Sequence, residues 1–370
     1  MTKRLILMTI ISLFLSVEIG HTNINSSEEK FDLSNGEINP DYHVPGLDLN
    51  KVIDPVYHEA KVYFEKAENY YKAGNYEKAL EYYTKCIYYF PKSDSDGYID
   101  EEDQQSKTHR LKVIKSTNLD IKANPYRAMA YKQRGNIYLA MNQLEKAKKD
   151  YINSLKANPN YAEPYNNIGI IYFRSKLHDQ AIENYTKCIE LKSTLWQPFI
   201  NRGIVYNAIG EYDLALKDFE EAIKINSNIP ITYISRAQTY FLMFDYEKSI
   251  EDLNKTINLD PKNPGTYYSR GFAYFQLGQF QQAFQDFDRS LKINSRNPSA
   301  LVFRGVLYYR MKKYELAQKD FEQAIKLDPT NPHANRNLKR LKAEVEQKKM
   351  NEKVINRIEK PVKREETLKT

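Results

Sequence analysis

The chain has 370 residues, with 13 glycines, 15 prolines and 30 tyrosines, and so little Gly and Pro argues against strand-and-turn, collagen-like and linker-rich folds. A hydrophobic content of 41% beside 28% charged residues argues against wholesale disorder. The formal charge of +7 is uneven: residues 332–370 carry 12 basic and 6 acidic side chains, residues 1–20 a net +1, and the remainder balances, so the body does not read as a nucleic-acid surface.

Residues 1–20 read as an export signal. Lys3 and Arg4 precede an uncharged run from Leu5 to Val17, which is short for a bilayer span. Glu18 stands where a cleavage site wants a small residue, so a retained N-terminal anchor is the alternative to cleavage. The apolar run ends without a cysteine, which argues against a lipid anchor. The expectation is export to a periplasm, cell envelope or exterior, with a membrane-anchored form as the variant. Residues 21–59 show little periodicity and read as a leader or linker.

A period of 34 residues follows. Tyr138, Tyr172, Tyr206, Tyr240, Tyr274 and Tyr308 are evenly spaced, and Tyr70 lies two periods before Tyr138. Taking this tyrosine as position 11 defines seven units: 60–93, 128–161, 162–195, 196–229, 230–263, 264–297 and 298–331. Residues 94–127 form an insertion of one period. Position 8 is Gly or Ala throughout, position 20 is Ala or Ser, and position 24 is Tyr, Phe or Leu. Small residues facing rings suit two helices in close contact. Positions 4, 8 and 11 share one helical face, and Asn-Pro and Asp-Pro pairs break the second helix.

This pattern resembles the tetratricopeptide repeat, a helix–turn–helix unit. The resemblance implies an all-α, right-handed α-solenoid of seven units with a concave groove. It also implies a scaffold that binds a peptide or protein rather than an enzyme. Leu301 departs from the aromatic at position 4, and Phe244 occupies a turn where Gly is common.

Position 7 is Arg in the five units that carry Asp at position 23. The pairs are Arg134 with Asp150, Arg202 with Asp218, Arg236 with Asp252, Arg270 with Asp286 and Arg304 with Asp320. The other two units lose both, holding Lys66 with Tyr82 and Ile168 with Asn184. Joint presence and joint loss predict a partly buried ion pair from first helix to second, with an anion track of arginines as the functional alternative. Cys86 and Cys188 share position 27, which is small elsewhere, and read as unbridged core residues.

Within the insertion, Asp94, Asp96, Gly97 and Asp100 resemble half of a calcium loop, but Lys92 and Asp103 replace its key carboxylates, and an acidic surface turn is the other reading. Residues 332–360 read as a capping helix. Leu338, Leu341 and Val345 cover the last unit, and Met350, Val354, Ile355 and Ile358 carry a weaker stripe onward, a surface for a partner or for self-association. Pro361 is expected to end the helix before a basic tail, 361–370. No zinc-type His pair, phosphate loop, Gly-x-Ser-x-Gly or Cys-x-x-Cys motif occurs, so no catalytic residue, cofactor or metal is expected.

Positions 2, 5, 9 and 12 of the first helices line the groove in the family. The binding core is therefore expected at Ile200, Ile204, Ile234, Phe241, Tyr268, Phe272, Phe275, Val306 and Tyr309. Two alternatives compete: positions 5 and 12 pack between neighbouring first helices, or the leader fills the groove. The partner is expected to be another protein or peptide, in assembly or maintenance of a cell-envelope complex, with membrane contact only through an uncleaved N-terminus. Alternatively the chain is a regulatory or substrate-delivery subunit, or a chaperone-tail receptor. The carboxylate clamp of such receptors is matched by Lys132, Asn136 and Asn167, whereas Gln197 and Asn201 stand where its cations belong.

Overall fold

The structure is a computed structural model describing residues 49–89 and 125–365. The signal-like segment, the calcium-like loop and the final residues lie outside that range. Among the described residues there are fifteen helices and no strand. The first five are α1 Leu49–Lys72, α2 Tyr76–Tyr89, α3 Pro125–Ala140, α4 Leu144–Ala157 and α5 Ala162–Arg174. The next five are α6 His178–Leu191, α7 Trp196–Ile209, α8 Tyr212–Ile225, α9 Pro230–Leu242 and α10 Tyr246–Leu259. The last five are α11 Pro264–Gln276, α12 Phe280–Ile293, α13 Pro298–Arg310, α14 Tyr314–Leu327 and α15 Pro332–Glu365.

The described residues form two compact units, divided between Glu211 and Tyr212. Within each, a first helix packs on the second helix of its own repeat, and that second helix packs on the next first helix. This layering in chain order is the packing logic of a solenoid.

Local chemistry sets the boundaries. Every repeat turns at its position 15 through a positive φ: Gly74, Asn142, Lys176, Gly210, Phe244, Gly278 and Lys312. That conformation ends the first helix. Phe244 adopts it at φ 64° while 67% exposed, an unusual state for an aromatic side chain. The Asn-Pro pairs start helices: Asn263, Asn297 and Asn331 accept backbone N–H bonds ahead of Pro264, Pro298 and Pro332.

Inside each repeat, position 24 is the buried centre. Tyr83, Tyr151, Tyr185, Phe219, Phe287 and Phe321 are all fully enclosed. A Cβ added to Gly135, Gly169 or Gly305 would lie 2.7, 2.6 or 2.7 Å from the ring at that position. Cys86 and Cys188 are free and buried, and burial pushes both thiols up to about 12.

Two boundaries differ from the sequence reading. Helix α1 begins at Leu49, within the presumed leader, and α15 continues past Pro361 to Glu365. A proline inside a helix forfeits one hydrogen bond, and here the helix continues through it. Leu341 is buried on the last pair, with Leu338 and Val345 beside it.

Candidate protein-binding face

Four of the nine residues of the apolar stripe expected to bind a partner lie in an internal seam. In the second unit Phe241, Tyr268 and Phe272 are 5, 8 and 4% exposed, and in the first unit Ile200 is 3% exposed. The rings of Phe241 on α9 and Phe272 on α11 stack at 5.3 Å. Phe303 on α13 lies 4.9 Å from Phe272 and 5.4 Å from Phe275. Large rings on successive first helices bury more apolar area against each other than a groove surface would leave them. These four residues are therefore packing residues, and Phe303, at position 6, joins them unforeseen. Burial also pushes the Tyr268 hydroxyl up.

Ile204, Ile234, Phe275, Val306 and Tyr309 remain half-buried. Tyr309 is covered by the last helix. Its hydroxyl donates to the Glu344 carboxylate, and Arg340 lies 5.4 Å from its ring centre.

The first unit places a different feature on its first helices. Asn201 Nδ2 donates to Asn166 Oδ1 at 2.9 Å, and Asn166 Nδ2 to Asn167 Oδ1 at 3.2 Å. Asn167 Nδ2 donates to Asn136 Oδ1 at 2.9 Å, Asn136 Nδ2 to Gln133 Oε1 at 2.8 Å, and Gln133 Nε2 to Glu68 Oε1 at 3.0 Å. The bonds run in one direction along four repeats and end on a carboxylate. From below, the buried hydroxyl of Tyr151 donates to Asn136 and that of Tyr83 to Glu68. Gln133, Asn166, Asn167 and Asn201 are half-buried.

A primary amide has two N–H donors and two acceptor lone pairs. The ladder uses one donor per amide, so the half-buried Gln133, Asn166, Asn167 and Asn201 keep capacity for an outside partner while being held in place by their neighbours, whereas Asn136 is buried and accepts from both Tyr151 and Asn167. Spaced amides of this kind match the alternating N–H and C=O groups of an extended backbone. Position 6 is an amide in three consecutive repeats, at Gln133, Asn167 and Asn201, and that regularity was the available sequence signal.

Lys132 stands beside the ladder. Burial pulls its ammonium down, but the nearby Tyr161 and Glu163 and a hydrogen bond to Tyr161 outweigh this and raise it. Burial pushes the Tyr161 hydroxyl up, against the opposing pull of Lys132. Asn136 and Asn167 thus lie in one hydrogen-bonded run, and Lys132 lies over the Tyr161 ring at 5.8 Å beside it.

Within single units, the expected Arg–Asp pairs close. The closest contacts are 2.7 Å in Arg134–Asp150, Arg236–Asp252 and Arg270–Asp286, and 2.8 Å in Arg304–Asp320. Arg202 belongs to the first unit and Asp218 to the second. Four of the arginines also have a second arm toward position 25 of the preceding repeat. Nη1 donates to Thr84 at 3.1 Å from Arg134, and to Thr186 at 2.8 Å from Arg202. It donates to Asn254 at 2.6 Å from Arg270, and to Asp288 at 2.9 Å from Arg304. Arg134, Arg270 and Arg304 therefore each join three helices and act in packing rather than as an anion track.

Comparison with known proteins agrees with this layout. The family description "Tetratricopeptide repeat" matches residues 60–93, 162–195, 197–229, 264–297 and 298–331, and "TPR repeat" matches 135–176 and 245–278. Together these spans take in more than half of the chain. A search of curated proteins finds no match. Among solved structures, PilF of Pseudomonas aeruginosa aligns with a TM-score of 0.53 at 19% identity, covering 59% of this chain and 97% of that one. A tetratricopeptide repeat protein of Parabacteroides merdae aligns at 0.50 and 17%, covering 77% and 99%. The APC/C hetero-tetramer Cut9–Hcn1 aligns at 0.50 and 18%, covering 86% and 60%. At these identities the likeness is one of fold.

Proposed function

Since the chain belongs to the tetratricopeptide-repeat family, whose members are generally protein–protein interaction scaffolds, we propose that it holds an extended segment of a partner protein along the amide ladder of its first unit. The directional run from Asn201 to Glu68 carries this reading. It supplies pre-oriented hydrogen-bonding groups at repeat spacing, and four of its side chains are half-buried rather than sealed. Main-chain recognition of this kind gives affinity from the backbone and leaves selectivity to flanking pockets. The carboxylate-clamp reading is weaker. Gln197 and Asn201 offer no charge to a double carboxylate, and Lys132 already lies over the Tyr161 ring at 5.8 Å.

The proposal extends to location. Lys3 and Arg4 ahead of the uncharged run Leu5 to Val17 support export, and a scaffold at a cell envelope is the setting we infer.

Photo-crosslinking from position 201 in the full chain, in its native host, tests the groove. A partner should crosslink there and not from the exposed Glu190 on α6. Asn166→Ala with Asn201→Ala should weaken its capture roughly tenfold or more, at about 1 kcal/mol per lost bond. Equal crosslinking from both faces, or unchanged capture by a well-folded double variant, would end the proposal.

A further inference from the structure

Helix α15 outruns the repeats it caps. Val345 packs beside Leu341 against the α13/α14 pair, and Lys348 reaches back to the Tyr314 hydroxyl at 2.8 Å. From Glu346 to Lys353 every side chain is exposed, with Met350 at 60%, and Ile355 is 54% exposed. The helix nevertheless runs on to Glu365.

The sequence of this extension is strongly two-sided. At about 100° per residue, positions 350, 354, 355, 358 and 362 fall within an arc of roughly 140°. They are Met, Val, Ile, Ile and Val. Asn351, Pro361 and the terminal Glu365 are the other positions in that arc. The opposite arc holds Lys349, Lys353, Arg357, Lys360, Lys363 and Arg364, against Glu352 and Glu359.

The charge selects the occupant. A second copy would bring one lysine- and arginine-rich flank against another. A nucleic acid would satisfy the cations but leave the apolar arc in water. An anionic bilayer satisfies both at once, with aliphatic groups at the acyl boundary and ammonium and guanidinium groups among the headgroups. We propose that residues 349–364 lie on an anionic lipid surface as an amphipathic helix. This attachment is independent of the N-terminal segment and of the amide ladder, and it replaces the self-association reading of the same stripe.

The test uses the full chain with Ile355→Cys carrying a polarity-sensitive dye, since Cys86 and Cys188 are buried. Because the readout is local to residue 355, attachment elsewhere does not register. Vesicles of phosphatidylcholine with phosphatidylglycerol should shift the dye to the blue, and phosphatidylcholine alone should not. Adding Lys353→Glu, Arg357→Glu and Lys360→Glu should lower the partition at least about tenfold, as should raised salt. Val354→Asp, with every cation intact, should also remove the shift. Four results would overturn the proposal: no shift on the anionic vesicles; an equal shift on neutral ones; a concentration-dependent shift without lipid, which would indicate a second copy; and a comparable shift on soluble polyglutamate, which would indicate an acidic protein.

Discussion

The Arg270–Asp286 pair offers a quantitative trial of the packing logic. Arg270 donates Nε to Asp286 Oδ2 at 2.8 Å, Nη2 to Oδ1 at 2.7 Å and Nη1 to Asn254 at 2.6 Å. Asp286 is 4% exposed, and the Arg270 side chain is 21% exposed. Burial pushes the Asp286 carboxyl up against the pull of Arg270, so its charge depends on that partner. Arg270→Ile strands a buried carboxylate and should cost about 3–5 kcal/mol. Asp286→Asn leaves one acceptor and turns an amide N–H toward a guanidinium; partial water access to Arg270 limits the loss to about 2–3 kcal/mol. The double variant places at these two positions the residue types that the chain already has at Ile168, which is buried, and Asn184, with Asn254 kept at position 25 where that repeat faces Ile152. It should lie within about 1 kcal/mol of the parent, because an apolar replacement removes the desolvation penalty with the charges. Urea unfolding of all four proteins gives the coupling. Single-variant losses that simply add in the double variant would refute the reasoning.

Two further outcomes follow from the same contacts. Gly305→Ala places a Cβ 2.7 Å from Phe321 and should destabilise by about 1–3 kcal/mol, with much of the loss recovered when Phe321→Leu is added; additive losses in urea melts would contradict the fit. Burial pushes the Asp288 carboxyl up, but Lys292 and Arg304 outweigh it and hold it below the ordinary carboxylate value, so its contribution is present above about pH 4 and fades as pH falls through the depressed value. Asp288→Asn should therefore lie below the parent in urea midpoint at neutral pH and converge with it on acidification, and a constant gap would contradict the assignment.

The repeat was legible because period and packing are the same fact. A ring at position 24 must meet a small residue at position 8, so the spacing carries the helix pair with it. The turn was legible by position and not by residue type. Asn142, Lys176, Phe244 and Lys312 all adopt the left-handed conformation that only Gly74, Gly210 and Gly278 advertise. The Arg–Asp pairing emerged from joint loss, yet the arginine's third contact did not. Its acceptor varies among Thr84, Thr186, Asn254 and Asp288, and only hydrogen-bond capacity is kept.

That third contact supplies the rule that the residue types conceal. Position 25 carries an acceptor group wherever the next repeat offers an arginine, and Glu220, which occupies it before Arg236, lies within electrostatic reach of that side chain. Where the next repeat offers Ile168 instead, position 25 is Ile152. Donor and acceptor have been exchanged together for two aliphatic residues. The binding face was illegible for the opposite reason. An apolar residue at position 5, 9 or 12 looks the same in sequence whether it meets the next repeat or a partner. The sizes of its neighbours decide, and Phe241, Phe272 and Phe303 are large enough to reach one another. The amides of the first unit are too short to fill such a seam. They bond along it instead, which leaves polar capacity at the surface where the second unit has closed its own with rings.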